Sequence, residues 1–168
     1  MIKKVFIILI FSFIHSNIAF SENKIAFVDL DLVIQKSEPG KLILKDLNNI
    51  SEKNIKELQI MQSELQSEEK NIQVKKNILS NEDYNKEINS LKKKISEYRK
   101  IKDSKSSKFN ELKNEQITSF FNKINPIIQN YMDDNAIELL LDRKNVFIGK
   151  VTSDITNDII LLINSNYK

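Results

Sequence analysis

The sequence predicts a mainly α-helical protein with a small β-containing body: a long antiparallel helical hairpin inserted into an α+β unit built from both ends of the chain. Three observations carry this expectation. A short apolar run, Lys24–Asp29 (KIAFVD), opens the chain after its first residues, and two similar runs, Ile137–Leu141 (IELLL) and Val146–Ile148 (VFI), follow more than a hundred residues later. Gly40 and Gly149 are the only glycines, so the stretch between them holds none. Glycine weakens a helix interior by about 1 kcal/mol, and its absence suits long helices. Within that stretch apolar residues recur at three-, four- and seven-residue steps, the mark of a helical stripe.

Lys3 and Lys4 precede an apolar run, Val5–Ile14, and Ala19-Phe20-Ser21 supplies small residues for cleavage after Ser21. Residues 1–21 therefore read as a signal peptide. The run is shorter than the roughly 20 residues of a membrane span, which disfavours the alternative of an uncleaved anchor. No cysteine follows to carry a lipid. In the strand Lys24–Asp29, Ile25, Ala26, Phe27 and Val28 are all apolar, which predicts cover on both faces. Asp29 is placed to cap a short helix carrying Leu30, Leu32, Val33 and Ile34, closed by Ser37-Glu38-Pro39-Gly40.

From Lys41 the stripe runs Leu47, Ile50, Ile55, Leu58, Met61, Leu65, Ile72 and Leu79. Ser80 with Asp83 then forms a variant capping box that opens a second helix. That helix carries Ile88, Leu91, Ile95, Tyr98, Phe109, Leu112, Phe120 and Ile124. A turn near Ser80 sets residue i opposite residue 160 − i, which matches Ile72 with Ile88 and Leu65 with Ile95. The arm is thus expected over residues 41–113 with its tip near 79–83, and the body over 22–40 and 114–168. Lys102 and Lys105 interrupt the second stripe opposite Leu58 and Ile55, which predicts a hinge there. Asn125-Pro126 predicts a helix break or restart. Ser153 or Asp154 is expected to cap a last helix holding Ile155, Ile159, Ile160, Leu162 and Ile163.

Composition narrows the function. The single histidine, His15, lies in the signal segment, and there is no cysteine. The commonest nucleophile, base and metal-ligand chemistry is therefore missing. No catalytic, metal or cofactor residues are assigned, and an enzyme is not expected. Without Lys3 and Lys4 the chain has 24 basic and 23 acidic residues, but residues 41–113 alone hold 17 basic and 12 acidic ones. The basic stretch comprises Lys70, Lys75, Lys76, Lys86, Lys92, Lys93, Lys94, Arg99, Lys100 and Lys102. These read either as a solvated helix face or as a surface for an acidic client or an anionic lipid or lipopolysaccharide surface. Nucleic acid is not an expected partner, because only Tyr84 and Tyr98 are interleaved with the charges.

The order of these elements resembles the Skp/OmpH family of periplasmic outer-membrane-protein chaperones. The likeness rests on the exported N-terminus, "KIAFVDLDLVI", the long charged hairpin, "INPIIQNYMDDNAIELLLDRKNVFIG" and "SDITNDIILLIN", and it spans the mature chain. It implies a homotrimer joined through its bodies, whose arms enclose a cavity that holds unfolded outer-membrane proteins in the periplasm without ATP. Ile25, Phe27, Leu139, Leu141, Phe147 and Ile160 are then expected in the body core or the trimer interface. The competing reading is a structural or adaptor coiled-coil protein of the cell envelope, which shares the hairpin but has no need of a strand-bearing body.

Overall fold

The computed structural model describes residues 24–167, so the signal-peptide reading lies outside the described residues. Strand β1 (Lys24–Val28) leads into the short helix α1 (Leu30–Lys36). Two long helices follow, α2 (Glu38–Lys75) and α3 (Asn81–Asp134), and then strand β2 (Ile137–Asp142) and the final helix α4 (Thr156–Asn166). The strands pair in parallel, with Ala26 beside Leu140 and Phe27 beside Leu141, and the whole hairpin forms the crossover between them.

Asp29 caps α1 as its sequence position predicts, its carboxylate accepting from Leu32 N at 2.9 Å. The next segment differs from expectation. Ser37, fully buried, ends α1 and also caps α2, its hydroxyl accepting from Gly40 N at 3.3 Å. Pro39 and Gly40 therefore lie in the first turn of the long helix, and the chain turns at Ser37, before both of them. Proline is welcome in a first turn because its missing N–H would have no helical partner there. Gly40 is required by packing: a Cβ at this position would stand 2.0 Å from the Ile34 carbonyl oxygen.

At the far end α2 stops at Lys75 and the link spans 76–80, so the tip sits slightly before the expected 79–83. Ser80 caps α3 by accepting from Asp83 N at 3.1 Å, and its hydroxyl donates to Asp83 Oδ2 at 2.7 Å. The side chain of Asp83 thus turns to the Ser80 hydroxyl, a variation on the expected box.

Two further expectations are corrected. α3 runs through Pro126 without a break. Pro126 and Asn122, whose carbonyl loses its donor, are both exposed, so water can satisfy that carbonyl. The neighbours Phe120, Ile124 and Ile128 are buried, and their packing outweighs the local preference. Val146–Ile148 is not a strand: 3-10 turns at Arg143–Asn145 and Val151–Ser153 flank it, and Phe147 and Ile148 are exposed. No described strand lies beside it, and a lone extended segment has no ladder to join. α4 starts at Thr156, where Asp154 accepts from Thr156 N at 3.0 Å.

The core joins Ala26 and Val28 of β1, Val33 and Ile34 of α1, Phe120, Ile124 and Ile128 of α3, and Ile155, Ile159 and Ile163 at the C-terminal end. Asp29 N donates to Thr156 Oγ1 at 2.9 Å, and Glu38 N donates to Asn164 Oδ1 at 2.7 Å, fastening the start of the chain to its end. β1 is not covered on both faces along its length. Ala26 and Val28 are sealed in the core, while Ile25 and its neighbour Leu139 are each about half exposed.

Candidate functional site

Two surfaces stand out, the arm and the open side of the body. Along the arm, α2 and α3 lie antiparallel, and cross-seam ion pairs mark their register. Lys75 meets Glu87 at 3.3 Å, Lys94 meets Glu68 at 2.8 Å, and Lys105 meets Glu57 at 2.6 Å. In each pair the residue numbers sum to 162, close to the expected 160. The carboxylates Asp46, Glu57 and Glu68 are spaced eleven residues apart, as are Lys94, Lys105 and Gln116. Eleven residues make three nearly whole helical turns, so each set stays on one side of a straight seam. This spacing was legible in the sequence and would have found the bridges, which a reading of apolar steps alone misses.

The basic residues separate into two groups. Lys75 and Lys94 are bound across the seam, and Lys86 pairs with Glu82 and Asp83 on its own helix. Among the described residues Lys70, Lys76, Lys92, Lys93, Arg99, Lys100 and Lys102 form no ion pair, and all are exposed. Lys105 interrupts the apolar stripe and is itself bound across the seam. Its ammonium donates to Asn54 Oδ1 at 3.0 Å and to Glu57 Oε2 at 2.6 Å. That bond and the nearby ammonium charge hold the Glu57 carboxyl below its ordinary range. Ile55 is turned half outward, and Asn54 and Glu57 occupy the seam beside Lys105.

At the arm's root a groove of about 660 Å³ opens between the start of α2, the middle of α3 and the end of α4. Its floor is apolar, from Ile43, Leu112, Phe120 and Ile163, and Leu42 and Tyr167 stand half exposed at its edge. Asp46, Glu115, Gln116 and Lys123 also line it.

In the body, Phe27 is buried, Leu141 and Ile160 are partly buried, and Ile25, Leu139 and Phe147 are exposed. The loop after β2 folds over Phe27. The Arg143 guanidinium sits 5.3 Å from the ring centroid and binds Asp154 Oδ2 at 2.6 Å, and Gly149 approaches so closely that a Cβ would lie 2.6 Å from the ring. Beyond that anchor Phe147, Ile148 and Val151 project into solvent. Burial and the Asp158 carboxylate 2.9 Å away push the Tyr131 hydroxyl above its usual pKa. Among the described residues no cluster of acidic, histidine or cysteine side chains could hold a metal ion.

A family model described as outer membrane protein (OmpH-like) matches residues 24–162. A solved crystal structure of a candidate outer membrane chaperone (OmpH-like) from Caulobacter crescentus CB15 superposes with a TM-score of 0.76 at 18% identity, covering 86% of each chain. At that identity it shows a shared fold. No curated protein sequence matches this chain.

Proposed function

Because the chain belongs to the OmpH-like outer membrane protein family, we propose that it is an ATP-independent periplasmic holdase that shelters unfolded outer-membrane proteins between helical arms. The observation that carries this is the pairing of a long, charged arm with a body that leaves large apolar side chains in water. α2 spans roughly 57 Å at 1.5 Å per residue, and its partner helix presents Lys92, Lys93, Arg99, Lys100 and Lys102 without bound counter-charges among the described residues. A wall of this kind attracts acidic segments by long-range field and holds them at many weak points. An anionic lipid or lipopolysaccharide surface would be drawn to the same residues.

Ile25, Leu139, Phe147, Ile148 and Val151 are the surface by which copies of the body would join, giving a homotrimer with a cavity between its arms. Ile25 and Leu139 are neighbours across the sheet, and exposed apolar patches mark interaction surfaces. The mature protein would carry no signal segment and use no cofactor.

Light-scattering of an unfolded outer-membrane protein diluted into buffer, with and without the mature chain, tests the holding activity. Native mass measurement tests the trimer. Aggregation that proceeds unchanged would favour the adaptor reading. Electrostatic capture has its own test in stopped-flow mixing. Lys92→Glu with Lys93→Glu should slow association with an acidic client and flatten its salt dependence. Lys94 is left intact because it bridges to Glu68.

A further inference from the structure

The arm's ladder of ion pairs is incomplete at its root. At two successive levels an α2 carboxylate, Glu68 or Glu57, receives a lysine from α3, Lys94 or Lys105. Eleven residues further toward the body the same positions are Asp46 and Gln116. Here the expected base is an uncharged amide. The Gln116 Oε1 atom is buried and has no hydrogen-bond partner among the described residues, and an unmet buried acceptor is a cost that a donor would remove. Asp46 and the adjacent Glu115 are exposed, face the groove and form no ion pair among the described residues. The root groove thus combines an apolar floor, two free carboxylates and a seat that lacks its ammonium.

We propose that this groove receives a lysine or arginine side chain carried on an extended apolar segment of the unfolded client. The inference rests on the holdase reading and gives that reading a specific anchoring point. Charge selects the occupant: among the described residues two carboxylates face one lysine, Lys123, at the groove, so a cation is favoured over an acidic segment. The apolar lining selects its neighbours, since a bare cation would leave the half-exposed Leu42 and Tyr167 uncovered. A second copy of this chain is the less fitting occupant, because the apolar surface available for self-association lies on the body around Phe147 and Ile148. The arm would then divide its work. The free bases of α3 draw acidic stretches, and the root holds basic-apolar ones.

The test uses the full mature chain and two fluorescent peptides that differ only in a central lysine or glutamate among alternating leucine and serine. The lysine peptide should bind about fivefold tighter, the upper end for an exposed ion pair. Asp46→Asn with Glu115→Gln, which keeps shape, should abolish that preference. Gln116→Lys should abolish it too, by seating the chain's own ammonium, and should slow amide exchange on both helices at the root. Equal affinity for the two peptides in the unaltered chain, or a preference that survives the double variant, overturns the proposal. So does an oligomer that the double variant dissociates, which would make another copy the occupant. The aggregation assay run alongside separates the two readings: suppression without peptide preference removes the root site alone, whereas no suppression removes the holdase reading itself.

Discussion

In the body, Val33 and Ile159 are sealed from solvent on all sides, whereas along the hairpin seam only Leu47, Ile72 and Leu91 are buried. The same two helices cross from one regime to the other. Near the root they pack against three other elements, α1, β2 and α4, and beyond it each has only its partner. A buried side chain in the body is gripped by α1, β1, α3 and α4 together, so its loss is felt by the whole unit. A seam residue of the arm is gripped from one side. The arm substitutes cross-seam ion pairs for apolar cover, and exposed pairs are individually weak. A stiff base and a compliant reach therefore come from one continuous stretch of secondary structure.

The contrast can be broken most directly at Ile159. Ile159→Ala should destabilise the protein by about 4 kcal/mol, within the range for a buried aliphatic truncation. It should lower the protection of body and arm together in residue-resolved hydrogen exchange. Leu91→Ala sharpens the comparison from the other side. It should cost about 2 kcal/mol, the low end of the same range, and exchange should rise along the arm while the β1–β2 amides stay protected. If Leu91→Ala exposes β1, the two regions are one cooperative unit.

A smaller effect runs the other way at the body's edge. Ala136, which turns the chain from α3 into β2, holds φ 51°. A left-handed conformation costs an L-residue about 1 kcal/mol, so Ala136→Gly should stabilise the protein by up to about that amount, read as a higher denaturation midpoint, and an unchanged midpoint would show the strain to be absorbed elsewhere.

The least effect is expected from pH, and it belongs to the arm. The Glu57 carboxyl is held below its ordinary value of 4.5 by Lys105. A lowered folded-state pKa contributes stability above 4.5, and that contribution is lost as pH falls through the folded value. Acid should therefore loosen exchange around Asn54 and Lys105, and Glu57→Gln should remove this acid sensitivity. If Lys102 and Lys105 mark a hinge, amides there should exchange faster than those at Leu65 and Ile95 even at neutral pH.

Much of this architecture was legible in the sequence, and the failures have physical causes. Period and capping residues located both strands of the sheet, the cap at Asp29 and the reversal before α3, because those signals are local. Pro126 does not break α3, because the effect of a proline depends on which face of the helix it occupies. On the exposed side of a helix packed by Phe120 and Ile124, it leaves one carbonyl to water. Gly40 looked like the end of a helix, but its reason is the Ile34 carbonyl, a contact that no local pattern reports. Phe147 carries strand propensity yet has no described strand beside it. The root groove was invisible to apolar periodicity because its meaning lies in a polar repeat that stops one member short.

The parallel pairing of Lys24 with Ile137 and of Phe27 with Leu141 also fixes the order of events in time. β1 is made first but has no sheet to join until the whole hairpin and β2 have followed. Closing so long a loop from a disordered chain is slow, and pairings of high sequence separation delay folding. The hairpin changes that kinetics, since two helices zipped from a local turn at Ser80 carry the ends of the crossover to the same place. The arm thereby serves its own molecule: it is the scaffold on which β1 and β2 find each other.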